Sequence, residues 1–437
     1  LLKIVIIGAG ITGLGAAYKL GELKEQIPLE YVILEKDSRP GGLCKTENDN
    51  GFLFDYTGHL LHFSYDQFKQ LLIDRLKINL LKHLRKSWIF SNNVFTQYPF
   101  QANLYGLPKS IIIECLYDYS KEYFNKQKKS IKTFEDWIYK YFGKGISRHF
   151  MLPYNTKLFK RHPKNLSPDC AGRFVPKPDL KQVLMGALSN KRSNLGYNAT
   201  FYYPKYGGIE TIIKSISKEV KRIYTGEKVV AIDTRTNKAQ TESGNVFNYD
   251  VLISTQPITE LSYMLEQKPQ FVRDASEKLE YVSVLNINFV VEEDVGDKHW
   301  VYVPEKKFLF HRVGFSSNFS SNLVPEGLNS IYTEISYLPG KIMDIKEIKD
   351  KVINDLLTLG IIRQKKSILF DKIINIPYAY VIYNTQRQSS LIALHNYLKE
   401  KLIFSIGRFG GWQYTSMEDS FLEGMTTSEN IVLRFCQ

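Results

Sequence analysis

Cysteine is scarce: four residues in 437, at positions 44, 115, 170 and 436, far apart and with no Cys-x-x-Cys pair. That spacing argues against a structural zinc or a disulfide framework and for a reducing compartment. There is no His-Glu-x-x-His run among the eight histidines, so no metal site is expected. A Gly-x-Ser-x-Gly elbow is also absent, which removes one common hydrolase signature. No window approaches about eighteen consecutive apolar residues, so no membrane span is expected. Neither an internal repeat nor a low-complexity tract is evident. Positive charge is in excess, 58 Lys plus Arg against 45 Asp plus Glu, but it is dispersed (Lys126, Lys128, Lys129, Lys132, then Lys214, Lys218, Lys221) and forms no long basic run. Nucleic acid is therefore not the expected partner, whereas a small polyanion needs only a few of these cations. Residues are 43% hydrophobic and 13% aromatic, so large cores can form, and the length implies two or three domains.

What is present begins at the first residues. The apolar run Lys3 to Ile7 enters Gly8-Ala-Gly10-Ile-Thr-Gly13-Leu-Gly15, an amphipathic segment follows from Ile11 to Leu23, and a second apolar run, Leu29 to Glu35, ends in an acid. In a dinucleotide site Gly8 permits the tight turn, Gly10 lets backbone approach a pyrophosphate, and Gly13 lets the helix pack on its strand. The helix start offers free N–H groups and a positive dipole end. Glu35, about twenty residues beyond the last glycine of the motif, can accept both hydroxyls of an adenosine ribose. The same glycine spacing separates this apolar segment from a signal peptide. A second glycine pair, Arg39-Pro-Gly41-Gly42, bends the chain across the cofactor and favours FAD over NAD. At the far end Lys401 to Ile406, Gly407-Arg408-Phe-Gly410-Gly411-Trp412 and a helix from about Met417 read as strand, glycine turn and helix. Such a turn supplies amides to an electron-rich group such as a flavin carbonyl.

Between these ends the pattern predicts a turn-rich link at 51–63, a helix near Tyr65 to Arg75 and a hairpin over 84–100 turning at Asn92-Asn93. Helices follow from Ser110 to about Leu188. A helix to about Lys221 leads to a strand over Glu227 to Ile232, and Tyr249 to Pro257 reads as the last strand of a nucleotide fold. Short strands are expected over 280–340 and 369–383. The fold class is α/β: a Rossmann-like FAD-binding domain in discontinuous pieces (1–83, 200–262, 395–437), a helical insert (105–199), and an antiparallel-sheet substrate domain (84–104, 263–394).

Several segments carry a more specific resemblance: Tyr98-Pro-Phe-Gln101, Phe150-Met-Leu-Pro-Tyr-Asn155-Thr-Lys157, Ala171-Gly-Arg173, Asn198-Ala-Thr-Phe-Tyr-Tyr-Pro204 with Gly207-Gly208, His311-Arg312, Ser317-Asn-Phe-Ser320, Val324-Pro-Glu-Gly327, and Gly407-Arg-Phe-Gly-Gly-Trp-Gln-Tyr414. In this order, over nearly the whole chain, they resemble the UDP-galactopyranose mutases, in particular their eukaryotic-type branch, within the amine-oxidase-like flavoproteins. The resemblance implies an isomerase. Reduced FAD attacks the anomeric carbon of a nucleotide sugar through N5, the nucleoside diphosphate leaves, and the sugar, held as a flavin adduct, recloses as the smaller ring with no net redox change.

By the same resemblance Arg173 and Arg312 grip the pyrophosphate, a task suited to arginine's planar fork, and His59 belongs to the flavin surroundings. The implied substrate-binding residues are Tyr98 and Gln101 at the nucleobase, Asn155 at the nucleotide's polar edge, and Tyr380 and Tyr414 at the diphosphate, with Phe159, Asn198 and Tyr302 alongside. FAD would be held by Gly8, Gly10, Gly13, Glu35, Gly41, Gly42, Gly58, Arg408 and Met417. Arg85 and Ser87 match positions where eukaryotic-type members admit NADPH as reductant, an exposed hairpin arginine being the alternative for Arg85. The expected setting is cytoplasmic, in surface-glycan synthesis, and the resemblance leaves a homo-oligomer open. The chain departs from the family at Leu152 (usually arginine), Phe159 (usually tryptophan) and Thr57 (usually glycine), and is shorter after Tyr414. These departures leave the sugar open to a related nucleotide-linked hexose. An amine-oxidase or protoporphyrinogen-oxidase-like oxidoreductase, or a flavin-bearing protein without catalysis, remains the alternative.

Overall fold

The computed structural model describes residues 1–125, 130–172, 175–190, 195–196 and 199–436. A parallel sheet of five strands has the order Ile403–Ser405, Val251–Ser254, Leu2–Ile7 (β1), Leu29–Glu35 (β2), Ile223–Thr225. Its central strands are almost wholly apolar because both faces are covered. The helix α1 (Ile11–Leu23) connects β1 to β2 and is crossed closely by the last helix, Met417–Cys436. Small residues permit this crossing. A Cβ at Gly15 would lie 2.2 Å from the carbonyl oxygen of Phe421, and one at Gly424 2.2 Å from that of Thr12.

The second sheet has seven strands, in the order Ile368–Val381, Tyr281–Val291, Asn329–Tyr337, Arg312–Phe315, Trp300–Tyr302, Ser87–Ser91, Val94–Gln97. It is antiparallel except where Trp300–Tyr302 runs parallel to Ser87–Ser91. The hairpin joining its last two strands turns at Asn92 and Asn93, both at positive φ (55° and 60°), a conformation asparagine tolerates. Four helices, Lys109–Tyr123, Phe134–Ile146, Leu152–Phe159 and Leu180–Leu188, form the helical layer beside this sheet.

Three local expectations change. Val251–Ser254 is an interior strand, because Ile403–Ser405 returns from the end of the chain to pair outside it. The run from Glu227 leaves the parallel sheet: Val229–Asp233 heads a separate three-stranded sheet, and the fifth parallel strand is the short Ile223–Thr225. The helix near Tyr65 is α-helical over Asp66–Gln70 and widens to π-turns over Leu71–Arg75.

Candidate functional site

The first part of the site is made of backbone. Gly8 ends β1 at φ 96°, and its N–H donates to the carbonyl of Leu34 at 2.8 Å. A Cβ at Gly13 would lie 2.0 Å from the carbonyl oxygen of Gly8, so helix and turn touch directly. Gly10 begins α1 with no side chain capping it, and nothing lies within 4 Å of where its Cβ would stand. An uncapped helix start behind an open glycine is a cradle for a phosphate group. Glu35 is buried, and its carboxylate accepts from the N–H of Ala9 at 2.7 Å and of Asp37 at 2.9 Å. Those bonds hold it at the turn while each oxygen keeps a further lone pair. The second glycine pair folds back on the first. The N–H of Gly41 donates to the carbonyl of Ala9 at 3.0 Å, and Gly41 and Gly42 both have positive φ. Lys45 packs across Gly41 and pairs with Asp37. These residues fit an adenine dinucleotide.

The last turn of the chain completes this half. Gly407, at φ 82°, would place a Cβ 2.6 Å from Oγ1 of Thr12. Trp412 is fully buried, and its carbonyl accepts from Arg387 Nε at 2.8 Å and Nη2 at 2.5 Å. Met417 opens the final helix, and its neighbour Glu418, almost wholly buried, accepts from the N–H groups of Ser64 (2.7 Å) and Tyr65 (3.1 Å). Glu418 thus ties the helix start to the link that carries Gly58 and His59. A Cβ at Gly58 would lie 2.3 Å from the hydroxyl of Tyr332, so this link rests directly on the seven-stranded sheet. His59 Nδ1 is buried without a hydrogen-bond partner. Burial, and then the nearby charge of Arg408, push its ring down to about 4, so it is neutral.

The second half is made of side chains on that sheet. Arg312 and Glu334 are cross-strand partners. Arg312 Nε donates to Glu334 Oε1 at 2.8 Å and Nη2 to Oε2 at 2.7 Å, with Tyr380 Oη 3.3 Å from Nη2. The Glu334 side chain is wholly buried, whereas that of Arg312 is 20% exposed. Among the described residues Nη1 of Arg312 makes no hydrogen bond. Burial alone would raise the Glu334 carboxyl, but the Arg312 guanidinium and His311 outweigh it and hold it at about 2. The ring of His311 is driven down to about 4 by burial, against the pull of Glu334.

Aromatic rings extend this pocket in both directions. Arg85 lies over Tyr98 at 4.8 Å, Tyr98 meets Tyr302 at 5.0 Å, and Tyr302 meets the edge of Tyr154 at 5.3 Å. On the other side Tyr380 lies 6.3 Å from Tyr414, which stacks on Tyr383 at 5.3 Å and has Phe159 6.3 Å away. Arg408 covers Tyr414 at 5.1 Å and Tyr380 at 5.9 Å. His59, Arg408, Arg312 and Glu334 lie near enough for the three charges to act on the imidazole.

Several sequence-based expectations change in detail. Asn155 is buried and its Nδ2 donates to the carbonyl of Met151 at 2.7 Å, which occupies one of its two amide hydrogens. The hydroxyl of Tyr414 donates to the carbonyl of Val381 at 3.0 Å, leaving Tyr380 as the tyrosine beside Arg312. Gln101 Nε2 is tied to the carbonyl of Pro176 at 2.7 Å, while its Oε1 is buried without a partner. Arg85 is buried and donates to the carbonyl of Leu195 at 2.7 Å, which removes the exposed-hairpin alternative; the hydroxyl of the equally buried Ser87 has no partner. Arg173 and Asn198 lie outside the described residues. Glu334, Tyr332 and Glu418 were not anticipated, and Tyr154 stood in a quoted segment without a role of its own. A lone carboxylate in the apolar strand Ser330-Ile-Tyr-Thr-Glu-Ile-Ser336 was the available signal, since a buried charge needs a buried partner.

These features define a flavoprotein, and the chain belongs to the flavin-containing amine oxidoreductase family, whose sequence model matches residues 11–432. Its flavin is FAD, which the paired glycine turns and Glu35 suit. Among solved structures, that of reduced UDP-galactopyranose mutase superposes with a TM-score of 0.92 at 28% identity, covering 99% of this chain and 94% of that one. A redesigned putrescine oxidase shares the fold at a TM-score of 0.69 and 14% identity, covering 99% of each chain. Protoporphyrinogen oxidase of Dictyostelium discoideum is 21% identical over 410 residues, 75% of this chain and 74% of that protein. Inactive all-trans-retinol 13,14-reductase of Danio rerio is 41% identical over 68 residues; the match spans 15% of this chain and 11% of that protein. Among the described residues no helix is long and apolar enough to cross a membrane, and no cluster of His, Cys, Asp and Glu could hold a metal.

Proposed function

We propose that this protein is a nucleotide-sugar mutase, converting UDP-galactopyranose into UDP-galactofuranose, or a closely related nucleotide-linked hexose into its furanose form, without net redox change. The observation that carries this reading is the buried Arg312–Glu334 pair, which fixes a guanidinium with one donor edge free in an aromatic pocket beside His59 and Arg408. Similarity to reduced UDP-galactopyranose mutase over the whole chain supports the same reading.

When bound and reduced, FAD supplies an electron-rich nitrogen for covalent catalysis at an anomeric carbon. The chain's own residues then have three tasks. Arg312 holds the diphosphate through the edge that Glu334 leaves free and stabilises charge as the anomeric bond breaks, and Arg173 joins it on the strength of the sequence resemblance. Because Glu334 stays ionised and fixes the fork, the guanidinium is oriented before substrate arrives. Tyr98 and Tyr302 give the nucleobase a stacking surface, and the partnerless Oε1 of Gln101 is an acceptor for a base N–H. Neutral His59 lines the flavin without adding charge. Arg85, stacked on Tyr98 at the base end, is the candidate contact for NADPH as reductant, with Ser87 beside it. The proposed setting is the cytoplasm.

The curated oxidoreductase relatives favour a second reading, oxidation of a substrate with electrons passed to an acceptor. One experiment separates the two. Dithionite-reduced protein is incubated with a panel of nucleotide sugars and the products are chromatographed. A ring-contracted product from UDP-galactopyranose, formed only by reduced protein, supports the mutase. No product from any sugar, with substrate-dependent oxygen consumption by oxidised protein, refutes it.

A further inference from the structure

Lys157 has no task in the proposed reaction, yet it is a residue type that proteins seldom bury. It lies on helix Leu152–Phe159 and is 8% exposed. Its Nζ donates to the carbonyls of Val303 and Glu305, at 2.9 Å each. Burial, and then the charge of Lys160, push its amine down to about 7. Burying an amine costs free energy unless its N–H groups are matched, and here two backbone carbonyls match them.

Those carbonyls belong to the chain just beyond Tyr302, the last residue of the three-residue strand Trp300–Tyr302. At Tyr302 the strand pairs with Arg312 on one side and Ile89 on the other. Val303 still gives its N–H to the carbonyl of His311 at 2.9 Å, while its own carbonyl accepts from Lys157. Tyr154 precedes Lys157 by three residues, so the two share one side of their helix. The Tyr154 ring meets that of Tyr302 edge-on at 5.3 Å. One side of this helix therefore holds both the Tyr302 ring and the backbone that follows it. Tyr302 in turn lies 5.0 Å from Tyr98.

We infer that Lys157 is a positioning residue for the nucleotide: by fixing the backbone beyond Tyr302 it sets that ring against Tyr98 before the base arrives. The inference rests on the reading of these two rings as the nucleobase surface. Without the amine both carbonyls lose a donor, the turn relaxes, and the stacking surface is no longer preorganised. Arg312 is held separately, by Glu334 on the neighbouring strand. A ligand with phosphates and no base should therefore not feel the change.

The test is calorimetric titration of the FAD-loaded full chain with UDP and with inorganic pyrophosphate. Lys157→Met is expected to weaken UDP about tenfold and pyrophosphate by less than about twofold. Turnover should divide the same way, KM rising about tenfold with kcat nearly unchanged. Lys157→Gln keeps N–H donors on a shorter arm and should lie between, about threefold weaker for UDP. If the methionine variant does not fold, the glutamine variant alone decides. A lysine that merely ties the core together would lower flavin content and weaken both ligands alike, and that result overturns the inference. Unchanged UDP binding overturns it too. Native protein that binds pyrophosphate as tightly as UDP would instead remove the base-stacking reading itself, and the inference with it.

Discussion

The glycine turns and the Arg312 pocket are the two parts of the candidate site, and they are built on different principles. Around Gly8, Gly10 and Gly13 the backbone itself does the recognising, and space dictates the residue types: a side chain at Gly13 would overlap the carbonyl of Gly8. Around Arg312 the recognising atoms are side chains from the Arg312–Phe315, Asn329–Tyr337 and Ile368–Val381 strands, brought together by register. A backbone site tolerates almost no change at a glycine in contact, as at Gly13, and little variation in its ligand. A side-chain site can be altered one residue at a time, which is where related enzymes with different substrates can diverge.

That contrast can be broken first, and with the largest effect, at the turn. Gly13→Val is expected to prevent accumulation of folded flavoprotein, a loss beyond about 4 kcal/mol, read as yellow soluble protein. Gly10→Ala, whose Cβ meets nothing within 4 Å, should fold and show only weakened flavin retention. Equal behaviour of the two would mean that the steric reading of the turn is wrong. On the other side, Arg312→Ala should keep its flavin spectrum and lose about 10²–10³ in turnover. Removing the cation also leaves Glu334 buried and unpaired, so unfolding should become easier by about 3–5 kcal/mol. Arg312→Lys keeps the charge but not the fork, and recovery of full activity by lysine would remove the case for two-point phosphate binding.

Acid should next expose the sheet half. Burial above all holds His311 at about 4 and His299 at about 3, both from 6.5. The unfolded chain therefore binds more protons than the folded one below 6.5, and their contribution to stability is lost as pH falls from 6.5 toward 4. Glu334, held at about 2 from 4.5, adds a loss below 4.5. Asp55 runs the other way. Burial lifts its carboxyl to about 6 from 3.8, against hydrogen bonds from Thr46 and Tyr203, so its contribution is lost as pH rises through 6. With His59, also held at about 4, three histidines against one aspartate leave a net decline on acidification, measurable as a lower denaturant midpoint at pH 5 than at pH 7. A flat or rising midpoint would contradict the buried-neutral reading of these rings. The smallest effect should come from Tyr414→Phe, about 0.5–1.5 kcal/mol of stability with KM nearly unchanged, because its hydroxyl serves Val381. A large rise in KM would return that hydroxyl to the diphosphate.

The same contrast explains what could be read from the amino-acid sequence. β1, α1 and β2 lie where the apolar period and glycine spacing put them, because each constraint there is local. Ile223–Thr225 escaped because three partly exposed residues carry no period, and the interior place of Val251–Ser254 escaped because its outer neighbour arrives some 150 residues later. In the pocket, Arg312 and Tyr380 were legible through the resemblance, but Glu334 was not. Its meaning lies in a cross-strand register that no spacing along the chain reveals. Asn155 and Tyr414 were legible as residues and not as orientations, because the competing acceptors, the carbonyls of Met151 and Val381, are backbone atoms.

The proposed reaction uses its flavin without consuming it and depends on a guanidinium fixed by Glu334. The most direct measurement follows the absorbance of anaerobically reduced protein during many turnovers of UDP-galactopyranose. The flavin is predicted to remain reduced throughout, with no electron acceptor needed. Stoichiometric reoxidation of the flavin as substrate disappears would contradict the account and make the protein an oxidoreductase.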